Sequence, residues 1–158
     1  MLQRSIFTLL TLSAIAVAGC GHSTASESYA STTFPSPKDF AHRYNEFAAD
    51  NLKVVEVNDI GGVGSEDWTE LDLADKNAES IDGQVKQRSF NYDPRSASKD
   101  VIRNVCTWMV RAANPDISSE DAVSMATSVV DHQAKKIVSN TVLDSYDDKG
   151  CVVYYTGL

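Results

Sequence analysis

The order of helix-like and strand-like segments is the feature that most constrains the fold of this chain. Apolar residues recur at helical spacing in three segments, 40–48, 101–112 and 122–130. Strand-like segments rich in β-branched or alternating apolar residues fall at 52–57, 67–73, 81–90, 137–146 and 151–156. Because helices and strands are grouped, the sequence predicts an α+β fold of order α-β-β-β-α-α-β-β. We expect an antiparallel sheet of about five strands with helices packed on one face.

Each predicted helix begins at a serine whose side chain can cap it. Ser36 precedes Pro37, a residue that suits the first helical position, and Ser98 precedes the second apolar segment. Ser118 stands three residues before Asp121, which is the spacing of a capping box. Near the end of the chain, residues 147–150 read Asp-Asp-Lys-Gly and predict a hairpin turn with the glycine at positive φ.

The first 19 residues have the composition of a cleaved export signal. Arg4 gives a short positive start, and the uncharged stretch after it is too short for a membrane span of ~20 apolar residues. Val17-Ala18-Gly19-Cys20 resembles the lipobox of bacterial lipoproteins. The resemblance implies cleavage before Cys20 and a covalent lipid on its sulfur, with no other cofactor. An ordinary signal peptide with an incidental cysteine is the alternative.

The lipobox also predicts the domain organisation and the location of the protein. We expect a signal peptide at 1–19, a lipidated cysteine with a Ser/Thr-rich flexible tether at 20–37, and one globular domain at 38–158. Gly21 follows the lipidated cysteine, and in enteric-type bacteria the resemblance implies that a residue other than Asp there directs transport to the outer membrane. In a Gram-positive host the protein would lie on the outer face of the cell membrane. The predicted location is therefore the cell envelope, held to a membrane by lipid.

The two remaining cysteines are predicted to form a disulfide. Cys106 falls on the apolar side of the second helix, and Cys151 begins the last strand. An even pair in an exported domain favours a bond between them. Two free buried thiols are the alternative, and a catalytic thiol is less favoured because neither cysteine has a neighbouring histidine or a Cys-x-x-Cys partner in sequence.

The net charge of −8 limits the classes of partner. An acidic surface repels the phosphates of nucleic acids and gains nothing from anionic lipid headgroups. We therefore expect no nucleic-acid partner and no membrane contact beyond the lipid anchor.

Motifs that carry chemistry are scarce, so we predict neither catalytic residues nor a metal site. The three histidines His22, His42 and His132 have no paired spacing, and each is interpreted as a surface residue. Residues 58–64 are glycine-rich without the spacing of a phosphate loop and predict a hairpin loop instead. Residues 67–82 are acidic without the spacing of a calcium loop and predict a solvated sheet face.

Two weaker possibilities remain open from the residues alone. Four carboxylates could act as acid and base in a hydrolase, namely Glu66, Asp67, Glu70 and Asp72. Four aromatic residues could form a recognition patch, although packing in the core or over a sheet edge is the favoured interpretation; they are Trp68, Tyr92, Tyr154 and Tyr155.

These observations favour a membrane-anchored envelope protein that presents a small non-enzymatic module to a protein or an envelope component. An anchored inhibitor, or an immunity factor that excludes phage, is a second hypothesis. A carboxylate-dependent hydrolase is a third and less favoured one.

Overall fold

The computed structural model describes residues 33–61, 67–147 and 149–156, and the signal peptide, the lipobox and most of the predicted tether lie outside these ranges. Three helices, one short 3₁₀ turn and seven strands are present in the described part. The helices are α1 (Pro37–Phe47), α2 (Lys99–Ala113) and α3 (Ser119–His132), and the 3₁₀ turn is Asp50–Leu52. The strands are β1 (Val54–Asp59), β2 (Trp68–Leu73), β3 (Ser80–Gln84), β4 (Ser89–Tyr92), β5 (Lys136–Val138), β6 (Thr141–Tyr146) and β7 (Gly150–Tyr155).

The seven strands form one antiparallel sheet of spatial order β1-β2-β3-β4-β7-β6-β5. The first four strands run as a meander. The chain then passes through α2 and α3 and returns as β5-β6-β7, with β7 placed beside β4. The mixed α+β class and the antiparallel sheet agree with the sequence prediction.

The predicted number and order of strands were wrong, because two segments expected to be single strands each contain a turn. Residues 81–90 divide into β3 and β4 around a four-residue turn at 85–88, in which Arg88 adopts φ 51°. Residues 137–146 divide into β5 and β6 around Ser139 and Asn140, with Ser139 at φ 56°. Neither turn contains the glycine that usually accompanies positive φ. The strand-like pattern of the sequence therefore continued across both turns and did not reveal them.

The predicted helix starts are confirmed by the hydrogen bonds at each first turn. Ser36, Ser98 and Ser118 adopt extended backbone angles, and each side chain accepts a hydrogen bond from the backbone N–H three residues later. These caps satisfy donors that the first helical turn cannot pair internally. The helix boundaries therefore come from local chemistry as well as from the apolar pattern.

All three helices pack on the same side of the sheet and enclose one hydrophobic core. Helix α1 packs on β1 and β2, α2 lies at the centre over β4 and β7, and α3 covers β5 and β6. The strand residues that face this layer alternate along each strand, as Leu71 and Leu73 do in β2. Phe90 stacks on Phe40 of α1 with ring centroids 3.6 Å apart.

The predicted disulfide between Cys106 and Cys151 is confirmed, and it links the middle of α2 to the start of β7. Both cysteines are fully buried. The bond therefore fixes the central helix onto the central strands from inside the core.

The folded part begins before the predicted domain boundary. Phe34, which the sequence placed in the tether, stacks on Phe90 at 5.1 Å and meets Tyr155 edge-on at 5.1 Å. The chain thus contacts the core a few residues before the cap of α1. Within the described ranges, each helix is too short or too polar to cross a bilayer.

Candidate functional site

The side of the sheet that faces away from the helices is the candidate site, and we call it the open face. Side chains alternate between the two sides of a strand, so the register of the core residues fixes which residues lie on the other side. The open face is formed by Glu56 and Asn58 of β1; Trp68, Glu70 and Asp72 of β2; Ser80, Asp82 and Gln84 of β3; Ser89 and Asn91 of β4; Val152 and Tyr154 of β7; Val142, Asp144 and Tyr146 of β6; and Ile137 of β5.

Two carboxylates stand directly opposite each other at the centre of this face. Glu70 of β2 pairs in register with Asp82 of β3, and Asp82 in turn pairs with Asn91 of β4. Like charges that are directly opposite on antiparallel strands destabilise a sheet. Within the part of the chain that the structure describes, no lysine, arginine or histidine forms an ion pair with either carboxylate.

The environment of Asp82 disfavours its charged form. Burial raises the pKa of this carboxyl above its usual value, and the negative charges of Glu70 and Asp93 raise it further. Among the described residues, the hydroxyl of Ser80 donates a hydrogen bond to Glu70 Oε1 at 2.8 Å. A positive group brought to this position would be attracted by both carboxylates.

Two amide oxygens beside this pair are buried without a hydrogen-bond donor. Asn91 is only 6% exposed, and neither its Oδ1 nor Gln84 Oε1 is paired with any described group. A buried acceptor that lacks a donor typically costs about 1–3 kcal/mol. The open face therefore holds two unpaired amide oxygens beside its opposed carboxylates.

A cavity of about 380 Å³ lies over this part of the sheet. Its lining includes both unpaired amides and two aromatic rings, and the full set is Gln84, Gln87, Ser89, Asn91, Tyr146, Val152 and Tyr154. The register explains the set, because Gln84 pairs with Ser89, Ser89 with Tyr154 and Asn91 with Val152. Neighbouring strands thus bring together residues that are far apart in sequence.

One carboxylate of the open face does have a basic partner. Lys135, which follows α3, contacts Asp144 Oδ2 through Nζ at 2.9 Å and lies 5.6 Å from the centre of the Tyr154 ring. Hydrogen bonds to Tyr154 and Asp144 raise the pKa of Lys135 above its usual value. The edge near β6 is therefore neutralised, whereas the centre at Glu70 and Asp82 is not.

The aromatic patch that the sequence left open is divided between the two sides of the sheet. Trp68 and Tyr154 lie on the open face, whereas Tyr92 and Tyr155 point to the helices. The hydroxyl of Tyr92 donates to Ala78 O at 2.8 Å, and that of Tyr155 donates to Ala113 O at 2.7 Å. Core packing thus accounts for two of the four rings.

The four carboxylates considered for catalysis are only partly brought together. Glu70 and Asp72 lie on the open face, and Asp67 is exposed just before β2. Glu66 lies outside the described residues, as do residues 62–65 of the glycine-rich segment and His22. Asp82 was not predicted to be a site residue. Side chains alternate along a strand, so Asp82 points to the side of the sheet away from its buried neighbour Ile81.

The described part of the chain contains no cluster of three or more metal-ligating side chains. His42 is exposed on α1, 3.6 Å from Glu46, and His132 is the last residue of α3. Comparison of the chain with protein-family models, curated proteins and solved structures finds no match.

Proposed function

We propose that this protein is a lipid-anchored envelope protein whose open face binds a partner protein through a basic surface. The lipobox sequence ending at Cys20 supports the anchor. The unneutralised pair of Glu70 and Asp82 is the observation that carries the binding role. The module acts by recognition and performs no chemical step of its own.

The charge pair favours a cationic partner for a simple physical reason. Two unit charges about 5 Å apart repel each other by about 0.8 kcal/mol even at the dielectric constant of water. Burial of Asp82 strengthens this repulsion. A lysine or arginine from a partner would convert the repulsion into two attractive contacts, so part of the binding energy is already present in the free protein.

The width of the face favours a protein over a small ligand. Carboxylates extend from Glu56 on β1 to Asp144 on β6, which are separated by five strand spacings in the sheet, or about 24 Å. A patch of this width fits the ~800 Å² that one partner contributes to a standard protein interface. The aromatic rings of Trp68 and Tyr154 supply residue types that are enriched at such interfaces.

The position of the anchor is compatible with this role. Residues 33–37 lie beside the β3–β4 turn, where they line a cavity together with Gly83, Val85 and Arg88. Residues 20–32 span at most about 45 Å when fully extended, so the lipid would hold the domain within that distance of a bilayer. Partners in the same membrane layer or in the cell wall are then within reach.

Binding is tested with one basic protein in two charge states. The mature protein, purified from the envelope fraction of a bacterial host, is titrated with lysozyme and with lysozyme whose lysines are succinylated. We expect binding of the basic form alone, weakening as salt increases. Equal binding of both forms, or of neither, would overturn the proposal.

A matched pair of variants locates the contact. The double variant Glu70→Gln/Asp82→Asn removes two charges from the open face, and Glu46→Gln/Asp116→Asn removes two from exposed positions on the helix side. We expect the first variant to weaken binding at least tenfold and the second by less than threefold, since distant charges are screened. Equal effects would place the contact elsewhere.

The anchor is tested separately from the binding face. Cys20→Ala is expected to move the protein from the detergent phase to the aqueous phase of a Triton X-114 extraction. Mass spectrometry of the mature protein is expected to find an acylated cysteine at its first residue. A mature N-terminus at another residue would contradict the anchor without affecting the binding face.

An anchored inhibitor is a second candidate that the same face favours, because a basic hydrolase docked on it would be occluded. Loss of lysozyme turnover at saturating protein would distinguish inhibition from binding alone. The hydrolase hypothesis requires carboxylates that converge on a substrate cavity. Glu70 lines a polar cavity with three other carboxylates and with the basic residues Lys76 and Arg95, but Asp82 is not part of that lining.

A further inference from the structure

We propose that a cavity at the start of α2 binds a small organic anion. The cavity has a volume of about 180 Å³ and lies where four parts of the chain meet: the segment before α2, the first turns of α2, the end of α3 and the β6–β7 hairpin. Ser145 lines it and pairs in register with the buried Cys151, so the cavity lies on the helix side of the sheet. The inference therefore goes beyond the proposed function, which concerns the open face.

The first argument is the sign of the charge at the cavity. Among the described residues that line it, the charged ones are all basic, namely Arg95, Lys99 and Lys149, although the chain has 22 acidic and only 14 basic residues. Lys99 and Lys149 form no ion pair with any carboxylate that the structure describes. Arg95 also lines the polar cavity beside Glu79, whereas the two lysines do not. The two lysines therefore bring unpaired positive charge to this cavity.

The helix ends at the cavity do not reverse this preference. The positive end of α2 and the negative end of α3 both lie there, so their dipoles oppose each other. The last carbonyls of α3 are already capped, since the Gln133 N–H donates to Val129 O at 2.9 Å and the Ala134 N–H donates to Ser128 O at 3.3 Å. A ligand is not required to donate hydrogen bonds to them. The basic side chains therefore set the preference for an anion.

The second argument is the apolar wall behind the lysines. Pro94, Ile102 and Val129 are buried, and Ala97 and Val130 are partly buried against the core. An enclosed apolar cavity of about 150 Å³ in another protein binds benzene, so a cavity of about 180 Å³ has room for an apolar group of similar size. The two lysines are exposed. A ligand that uses both features places its apolar group against the wall and its anionic group at the lysines.

The experiment uses small probes that separate charge from apolar contact. The mature protein is labelled with ¹⁵N and titrated with phenylacetate, neutral phenylacetamide, cationic benzylamine and acetate, which lacks the ring. We expect phenylacetate to shift the backbone amide signals of Ile102 and Gly150 saturably, and phenylacetamide to bind about fivefold more weakly, since one exposed ion pair contributes up to about that factor. Equal or tighter binding of phenylacetamide or benzylamine, equal binding of acetate, or no saturable shift with phenylacetate would overturn the inference.

Matched lysine variants locate the contact. Lys99→Gln/Lys149→Gln removes two charges from the cavity, and Lys38→Gln/Lys86→Gln removes two from exposed positions that do not line it. We expect the first variant to weaken phenylacetate binding about fivefold and the second by less than about twofold, since distant charges are screened. Ala97→Leu narrows the cavity and is expected to abolish binding. Equal losses in the two lysine variants, or full binding by Ala97→Leu, would contradict the site, and the exposed lysines keep the test available if Ala97→Leu fails to fold.

Discussion

Removing the charge of Asp82 is expected to stabilise the free protein. In the variant Asp82→Asn the opposed carboxylates become one carboxylate and one amide, and Asn can donate a hydrogen bond to Glu70. Cross-strand pairs contribute roughly 0.2–1 kcal/mol, and the half-buried position of Asp82 places the gain near the upper end. We expect the free energy of unfolding to rise by about 1 kcal/mol at pH 7, or a melting temperature about 4 °C higher.

The gain must depend on pH, and its sign follows from the raised pKa of Asp82. Folding makes ionisation of this carboxyl harder. The native protein therefore loses stability as the pH rises from about 3.8, the pKa of Asp82 in the unfolded chain, through its higher pKa in the folded protein. Below this window Asp82 is protonated in both states, and the wild type and Asp82→Asn should unfold alike. Above it the full difference should be present.

Urea unfolding followed by circular dichroism at pH 3 and at pH 7 measures this effect, with Asp144→Asn as the control. Asp144 is paired with Lys135, so its neutralisation should leave stability unchanged or reduced. The reasoning is refuted if Asp82→Asn gives no gain at pH 7, if the gain persists at pH 3, or if Asp144→Asn gives the same gain.

Three further variants test the fold and the face. Cys106→Ala/Cys151→Ala removes the bond that closes a loop of 45 positions. It should lower the free energy of unfolding by about 4 kcal/mol from the loss of the chain-entropy contribution, measured by urea unfolding against the disulfide-bonded wild type; a loss below about 1 kcal/mol would contradict it. Gly150→Ala places a Cβ against the carbonyl oxygen of Tyr92 and should lower the free energy of unfolding by about 3 kcal/mol or prevent folding. Soluble yield and melting temperature measure this effect, and a wild-type melting temperature would contradict the close approach. Glu70→Lys should raise the melting temperature by pairing with the aspartate opposite and should abolish lysozyme binding; a stabilised variant that binds normally would leave the face without a role in binding.

Local chemistry made much of the fold predictable. Three features could be predicted from sequence: the serine caps, the alternation of β2 and the pairing of Cys106 with Cys151. Each depends on a few neighbouring residues or on an even count of cysteines. The turns that interrupt the strands within 81–90 and 137–146 could not be predicted, because Arg88 and Ser139 adopt positive φ although neither is glycine. The tertiary pairing of the strands overrides their weak local preference at these turns.

The last hairpin shows a second reason why local signals mislead. The sequence predicted Gly150 at positive φ, but Asp147 adopts that conformation, with φ 45°. Gly150 is needed for a different reason, since β4 approaches it too closely to admit a Cβ. Only the pairing of β7 with β4, which joins segments about 60 positions apart in sequence, explains the residue.

The candidate site was less predictable than the fold because membership of a face depends on register. Tyr154 could have been placed on the open face, since a buried Cys151 implies that Val153 and Tyr155 point inward with it. The pairing of Asp82 with Asn91 could not have been predicted, because neither strand carries a sequence signal that fixes their register. The sequence therefore identified the acidic segment but not its charge pair.

The acidic segment was interpreted from sequence as a solvated sheet face, and Glu70 and Asp72 do lie on the open face, where the register also places Asp82 directly opposite Glu70. A face selected only for solubility gains from placing lysine opposite glutamate, since such pairs add stability at no cost in hydration. The chain has 14 lysines and arginines, yet Glu70 faces Asp82 and Asp72 faces Ser80. Proteins commonly keep destabilising arrangements where function needs them. Under the proposed function, the repulsion at the centre of the open face is a cost to the free protein that binding of a cationic partner would remove.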